Sequence, residues 1–298
     1  MKKPLVIGVV IGSLICGGIF LMSKDVINRD RILRSSVLKD ISLDNILQAG
    51  PSKSKRFFDF FDESRILEEN WPLKRSGDKN WWVSSGAYLF MEDGVGKTVM
   101  GSLPETNQWV TRFNASNPID TKEGQRPQNI FRLVCKLTAK NFTQSVYTRM
   151  VLYDESTSPN RDASNGILLF NRYQDEFSLY YAGIRVDGQV VIKKKLNGLY
   201  TTLASKKVLD GTYNRDTNPN LIPLNTWIGL KSEVVTDEKG TVHIKLYTDI
   251  DKTGKWTLVL EATDDGKQFG KIISNAGYGG IRTDFMDAEF DDFVFVSQ

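Results

Sequence analysis

Ser178 to Lys194 reads SLYYAGIRV-DG-QVVIKK, two runs of apolar, aromatic and basic residues around Asp187-Gly188. Asp-Gly between alternating apolar residues predicts a hairpin, because a two-residue type I′ turn needs positive φ at both central positions. In that register Ala182, Ile184, Val186 and Val191 share the core face, while Tyr181, Arg185, Ile192 and Lys194 share the other.

The same texture extends both ways. Trp81 to Val83, Ala87 to Met91, Ile130 to Leu137, Val146 to Tyr153 and Gly166 to Asn171 precede the hairpin as apolar or alternating runs. Trp227 to Val235, Thr241 to Thr248, Trp256 to Ala262 and Ala288 to Val296 follow it, between clusters of Gly, Asn, Asp and Pro. No long helical period appears after residue 56. The expectation for residues 56–298 is all-β, and so many strands need two packed sheets or a barrel.

The chain has 298 residues, of which 40% are hydrophobic and 25% charged. That is globular composition, which excludes collagen, a disordered tail and a multispanning membrane protein. Residues 1–55 carry nine Lys/Arg against four Asp/Glu, so the other 243 carry 30 against 32. A slightly acidic body has no electrostatic footprint for phosphate backbones, and nucleic acid is not an expected partner. Two cysteines, Cys16 and Cys135, build no disulfide framework, and the lone His243 removes any site needing two imidazoles.

Leu5 to Met22, behind Lys2 and Lys3, is an uncharged apolar run long enough to span a bilayer. Residues 1–23 therefore read as a signal anchor or a signal peptide, retention being favoured because no A-x-A cleavage site follows. Residues 24–55 space Ile27, Ile32, Leu33, Val37, Leu38 and Ile41 at helical intervals among arginines, an amphipathic juxtamembrane stalk ended by Gly50-Pro51. The basic residues after the span favour a cytosolic body by the positive-inside rule, while the sequons at Asn114 and Asn141 favour an outward one. The expected address is a single-pass membrane protein with its body outside, or a secreted one.

Several blocks carry a family likeness: FFDFFD (Phe57 to Asp62), NWWVSSGAYLFMEDG (Asn80 to Gly94), WIGLKSEV (Trp227 to Val234), GTVHIKLYTD (Gly240 to Asp249), and a closing GYGGIRTDFMDAEFDDFVFV (Gly277 to Val296). In order and pattern, residues 56–298 resemble the concanavalin A-like lectin/glucanase superfamily. The resemblance implies a jelly-roll sandwich of two antiparallel sheets whose first strand lies near its last. It also implies a carbohydrate partner, through a binding module or through a glycan-cleaving enzyme, a glycoside hydrolase or polysaccharide lyase.

Three groups of residues are candidates for that role. Tyr181, Arg185 and Lys194 on one hairpin face, extended by Arg172 and Tyr173, combine rings that stack on sugar C–H faces with donors for hydroxyls or carboxylates. Asp287 and Glu289 alternate on one strand and are candidate acids for glycoside cleavage, although the family's E-x-D-x-E string is missing. His243 and Tyr247, which leave the core with Lys245, have the residue types of a uronate-directed lyase. Asp59 and Asp62 at the first strand and Asp291 and Asp292 at the last are candidates for a structural calcium site. Two mimics are set aside. Gly94 to Thr98 lacks the first glycine of a phosphate loop, and Asp249 to Gly254 lacks the closing carboxylate of a calcium loop.

Overall fold

The computed structural model describes residues 54–298. The expected apolar span and almost all of the expected stalk lie outside the described residues. Among the described residues no helix is long and apolar enough to cross a membrane.

Sixteen strands form two sheets in which every pairing is antiparallel. The larger sheet runs β14 (Thr257–Asp264), β13 (Val242–Ile250), β12 (Trp227–Thr236), β7 (Phe142–Tyr153), β16 (Met286–Ser297), β5 (Val95–Lys97), β4 (Tyr88–Glu92), β2 (Arg65–Glu68). The first strand, β1 (Arg56–Asp59), also pairs with β16, Phe57 opposite Phe295 and Asp59 opposite Phe293. The smaller sheet runs β11 (Leu199–Lys207), β10 (Gln189–Leu196), β9 (Ser178–Arg185), β8 (Gly166–Asp175), β15 (Gly277–Asp284), β6 (Ile130–Ala139), β3 (Trp81–Ser85). This is the expected jelly-roll sandwich with first and last strands adjacent.

Alternation drives the two sheets together. Inward-facing Leu133, Leu169, Ala182 and Ile192 of the smaller sheet meet Val146, Leu230, Ile244 and Phe290 of the larger in one buried cluster. Aromatic rings close it at the β1 end. Trp81 packs edge-on to Phe293, with centroids 4.6 Å apart, and Phe57 lies 5.3 Å from Trp81. Burying each such side chain contributes about 1.5 to 3 kcal/mol. Gly94 to Thr98 is a turn and strand: Gly96 lies in β5 against the Phe61 ring, where a Cβ would come within 2.8 Å.

One helix departs from the all-strand expectation, α1 (Gln108–Ser116), nine residues long. Its N-cap is Asn107, whose Oδ1 accepts from Trp109 N at 2.9 Å, and it buries Trp109, Val110 and Phe113. So short an element leaves only two turns of period to read.

The hairpin at Asp187-Gly188 forms, but with a three-residue loop. Val190 pairs with Ile184, Gly188 N donates to Arg185 O at 2.9 Å, and only Gly188 of the loop has positive φ, +77°. This is a type I turn followed by a glycine bulge. One extra loop residue inverts the whole of β10 relative to the sequence expectation. Ile192 and Lys194 therefore point into the sandwich, and Val191 and Lys193 point out.

Candidate functional site

The outer face of the smaller sheet carries an unusual density of rings and cations. Trp82 of β3, Phe170 and Tyr173 of β8 and Tyr181 of β9 form a cluster with Leu168, Leu179 and Val191. Tyr173 lies 5.2 Å from Phe170, Phe170 5.7 Å from Tyr181, and Tyr181 6.1 Å from Tyr200 of β11, the last pair stacked. Over these rings stand the cations that the register sends outward. Arg282 of β15 lies 5.7 Å from the Tyr181 centroid, and Lys193 and Lys195 lie 5.7 and 4.8 Å from that of Tyr200.

Hydrogen bonds fix the arginine. Arg282 Nε donates to Asp284 Oδ1 at 2.8 Å, and its Nη1 donates to the Tyr181 and Tyr200 hydroxyls at 3.2 and 3.4 Å. Arg132 sits beside Arg282 on β6 and pairs with Glu176 at 3.3 Å. Among the described residues neither Lys193 nor Lys195 has an ion-paired carboxylate; rings hold both ammonium groups.

The electrostatics follow from burial and these cations. Burial pushes the Tyr181 and Tyr173 hydroxyls up to about 12. Burial acts on Tyr200 in the same direction, but Arg282 and Lys195 outweigh it and its hydroxyl is shifted below the usual phenol value. Burial lowers the Lys193 ammonium, with Asp284 opposing. Tyr200 remains 51% exposed, so this end of the face is open to a ligand.

Of the five expected ligand-binding residues, the face gathers three. Tyr173 and Tyr181 belong to the ring cluster. Arg185 lies at its margin, engaged by Asp187 at 2.7 Å and by the Ala163 carbonyl at 2.9 Å. Lys194 is corrected by the hairpin register: its ammonium is buried and donates to Asp264 at 2.7 Å and to the Gly270 and Lys271 carbonyls. Arg172 is also corrected. Its φ is +53°, so strand alternation fails there, and its buried guanidinium donates to the Lys140 and Ile273 carbonyls and to Thr236 Oγ1. Burial lowers it to about 10. Sequence reading missed Arg282, Lys193, Lys195, Tyr200 and Trp82. The KKK run of β10 held the signal for both lysines, but only in the correct register.

The candidate catalytic pairs are dispersed. Asp287 is buried and accepts from Arg126 Nη2 at 2.6 Å, Gln128 Nε2 at 2.8 Å and Gly101 N at 2.8 Å. Glu289 accepts from Arg149 Nε at 2.7 Å. Both carboxylates are already charge-compensated. His243 and Tyr247 lie on the outer face of the larger sheet, where His243 Nε2 meets Asp237 Oδ2 at 2.9 Å and Lys231 caps the Tyr247 ring at 4.5 Å. On that face the chain's own cations lie over several rings: Lys231 over Trp256, Arg149 over Trp227, and Lys252 over Tyr147 and Trp227.

Three of the four aspartates of the calcium expectation are engaged by groups of the chain itself. Asp59 accepts from Trp81 Nε1 at 2.6 Å and Phe61 N at 2.8 Å, and Asp62 is exposed. Asp291 and Asp292 both pair with the Lys252 ammonium, so a cation of the chain itself stands there. Among the described residues no group of three His, Cys, Asp or Glu is placed to hold a metal ion. Asp249 closes a polar hairpin turn, accepting from Thr253 N and Gly254 N.

Fold and face together define a two-sheet antiparallel jelly-roll sandwich with an aromatic and cationic outer surface on its smaller sheet. No family model matches the sequence, and no curated protein matches it. Among solved structures the chain is similar to the carbohydrate binding module CBM66 from Bacillus subtilis, at 19% identity, covering 56% of this chain and 82% of that one, with a TM-score of 0.40. It is similar to the exoplasmic/lumenal domain of VIP36 in its Ca2+/Man-bound form, at 9% identity, covering 77% and 88%, TM-score 0.39. It is also similar to a Bacillus licheniformis beta-glucanase, at 11% identity, covering 83% and 100%, TM-score 0.41. At these identities and scores the likeness says nothing of ligand or reaction.

Proposed function

We propose that the body binds an acidic glycan on the outer face of the smaller sheet. The observation that carries this reading is the set of cations over the tyrosines: Lys193 and Lys195 held by rings with no ion-paired carboxylate among the described residues, and Arg282 shared between two phenols. Rings suit sugar C–H faces, and ammonium groups held by rings suit a carboxylate or sulfate. A glycan array with the full chain tests it. Acidic glycans bind and neutral ones do not, and Lys195→Ala weakens the acidic ligands by about 1.5 to 3 kcal/mol, the worth of one charge-assisted contact. Equal loss for neutral and acidic sugars would count against it.

One arrangement favours a second reading, elimination at a uronate: the half-exposed Tyr200 accepts from Arg282 Nη1 at 3.4 Å with Lys195 4.8 Å from its ring, and these cations shift its hydroxyl downward. Tyr200 would take the proton from the carbon bearing the carboxylate. The bond from the adjacent carbon to the glycosidic oxygen breaks, a carbon–carbon double bond forms, and the departing oxygen takes a proton from solvent. Arg282 and Lys195 would hold the carboxylate. Ultraviolet absorbance of an unsaturated product, abolished by Tyr200→Phe, decides between binding alone and cleavage.

We further propose that Leu5 to Met22 tethers the body to a membrane with the glycan-binding face outside, the side on which the sequons at Asn114 and Asn141 would be used. Protease added to intact cells degrades the body under this reading; a body protected until lysis refutes the outward placement.

A further inference from the structure

The rings of the smaller sheet continue past the site just described. Beyond Tyr173 stands Trp82, 6.5 Å away, and beyond Trp82 stands Trp71, 5.5 Å away. Trp71 belongs to no strand. It sits on the segment between β2 and β3, which is folded against the sheet edge by bonds from Trp82 Nε1 to Asn70 O and from Asn70 N to Val83 O. The result is an unbroken file of rings from β3 at one edge to β11 at the other. Taken centroid to centroid, the five ring spacings from Trp71 to Tyr200 limit the file to about 29 Å.

The file is exposed only at its ends. Trp71 is 60% and Tyr200 51% exposed, while Trp82, Tyr173 and Tyr181 between them are at most 4% exposed. Its ends also differ in chemistry. Three cations lie over Tyr181 and Tyr200, and among the described residues none lies over Trp71 or Trp82. A large exposed tryptophan ring, packed at a 40° tilt against a second ring that is pinned to the backbone, is a preformed apolar platform with little left to order on binding.

We infer that the glycan lies across the strands as an extended chain, with an acidic sugar at Tyr200 and a distal sugar stacked on Trp71. This rests on the glycan-binding reading and adds to it a minimum length, a direction and a second contact. A ligand confined to the cation end gains nothing from Trp71. A chain that reaches both rings does.

The test is a length series of oligogalacturonates, from disaccharide to decasaccharide, titrated against the full chain and its Trp71→Ala and Lys195→Ala variants. Thermal melting checks that each variant is folded, which is expected because both side chains lie at the surface. Affinity rises with length until the chain reaches Trp71 and then levels off. Trp71→Ala removes about tenfold from the long oligomers and leaves the disaccharide unchanged, whereas Lys195→Ala weakens every length. A length-independent affinity, or a length gain that survives Trp71→Ala, overturns the cross-strand inference and leaves the binding reading standing. Failure of every oligomer to bind overturns both.

Discussion

Lys194 and Lys195 are neighbours in sequence with opposite fates, and the difference is measurable. Lys194 and Asp264 form a buried pair, their side chains 1% and 0% exposed, with Tyr180 also donating to Asp264 at 2.7 Å. Removing one partner strands the other charge in the core, so Lys194→Met should cost about 3 to 5 kcal/mol. Lys195→Met should change stability by less than about 0.5 kcal/mol and register only in ligand binding. Paired thermal melts check both. Tyr200 yields a pH prediction of definite sign. Its hydroxyl is displaced below the ordinary phenol value by Arg282 and Lys195, so raising pH toward 10.0 ionises it on the binding face. The phenolate then occupies the same cations that an acidic glycan needs. Affinity for that glycan should fall over this interval, and Tyr200→Phe should flatten the profile. Strand alternation makes Tyr181 legible in the sequence because β9 is regular, whereas it misplaces Arg172, whose positive φ breaks the alternation.

The hairpin between β9 and β10 shows how one loop residue decides an element. Asp-Gly fits a two-residue type I′ turn and a three-residue loop with a glycine bulge equally well by composition. The structure takes the second, with Gly188 at φ +77°, and every β10 side chain changes face. A Cβ at Gly188 would also meet the Leu209 carbonyl at 2.9 Å. Gly188→Ala should therefore destabilise the body by at least about 1 to 2 kcal/mol, the cost of a left-handed non-glycine residue, as read from urea midpoints. Strands β2 and β11 were invisible in the sequence for another reason. Both lie at or near a sheet edge, RILE being only four residues long and LYTTLASKK mixing exposed polar and apolar positions. Most central strands are legible through their Val, Ile, Leu and Phe; β15, GYGGIRTD, is central and yet is not among the expected strands, because its three glycines interrupt the apolar texture.

For the whole molecule, buried phenols set an upper limit in pH. Tyr153, Tyr173 and Tyr181 are raised to about 12 and Tyr147 and Tyr180 further, in each case first by burial. An unfolded chain ionises these groups near 10.0 while the folded chain holds them neutral. Stability is thus intact below that value and lost as pH rises through the folded values, by about 1.4 kcal/mol per pH unit for each phenol involved. Melting midpoints should fall steeply above pH 10.0, and Tyr173→Phe should soften the slope. The two-sheet plan and the meeting of first and last strands were legible because FFDFFD and FDDFVFV carry the same apolar texture at opposite ends of the body. That meeting has a consequence for how the protein is made. β1 has no partner until β16 exists, and β16 also separates β7 from β5 at the middle of the larger sheet. While the chain is being synthesised, Phe57 and Trp81 wait for Phe293. The nascent polypeptide therefore stays open until residues 286–297 have left the ribosome.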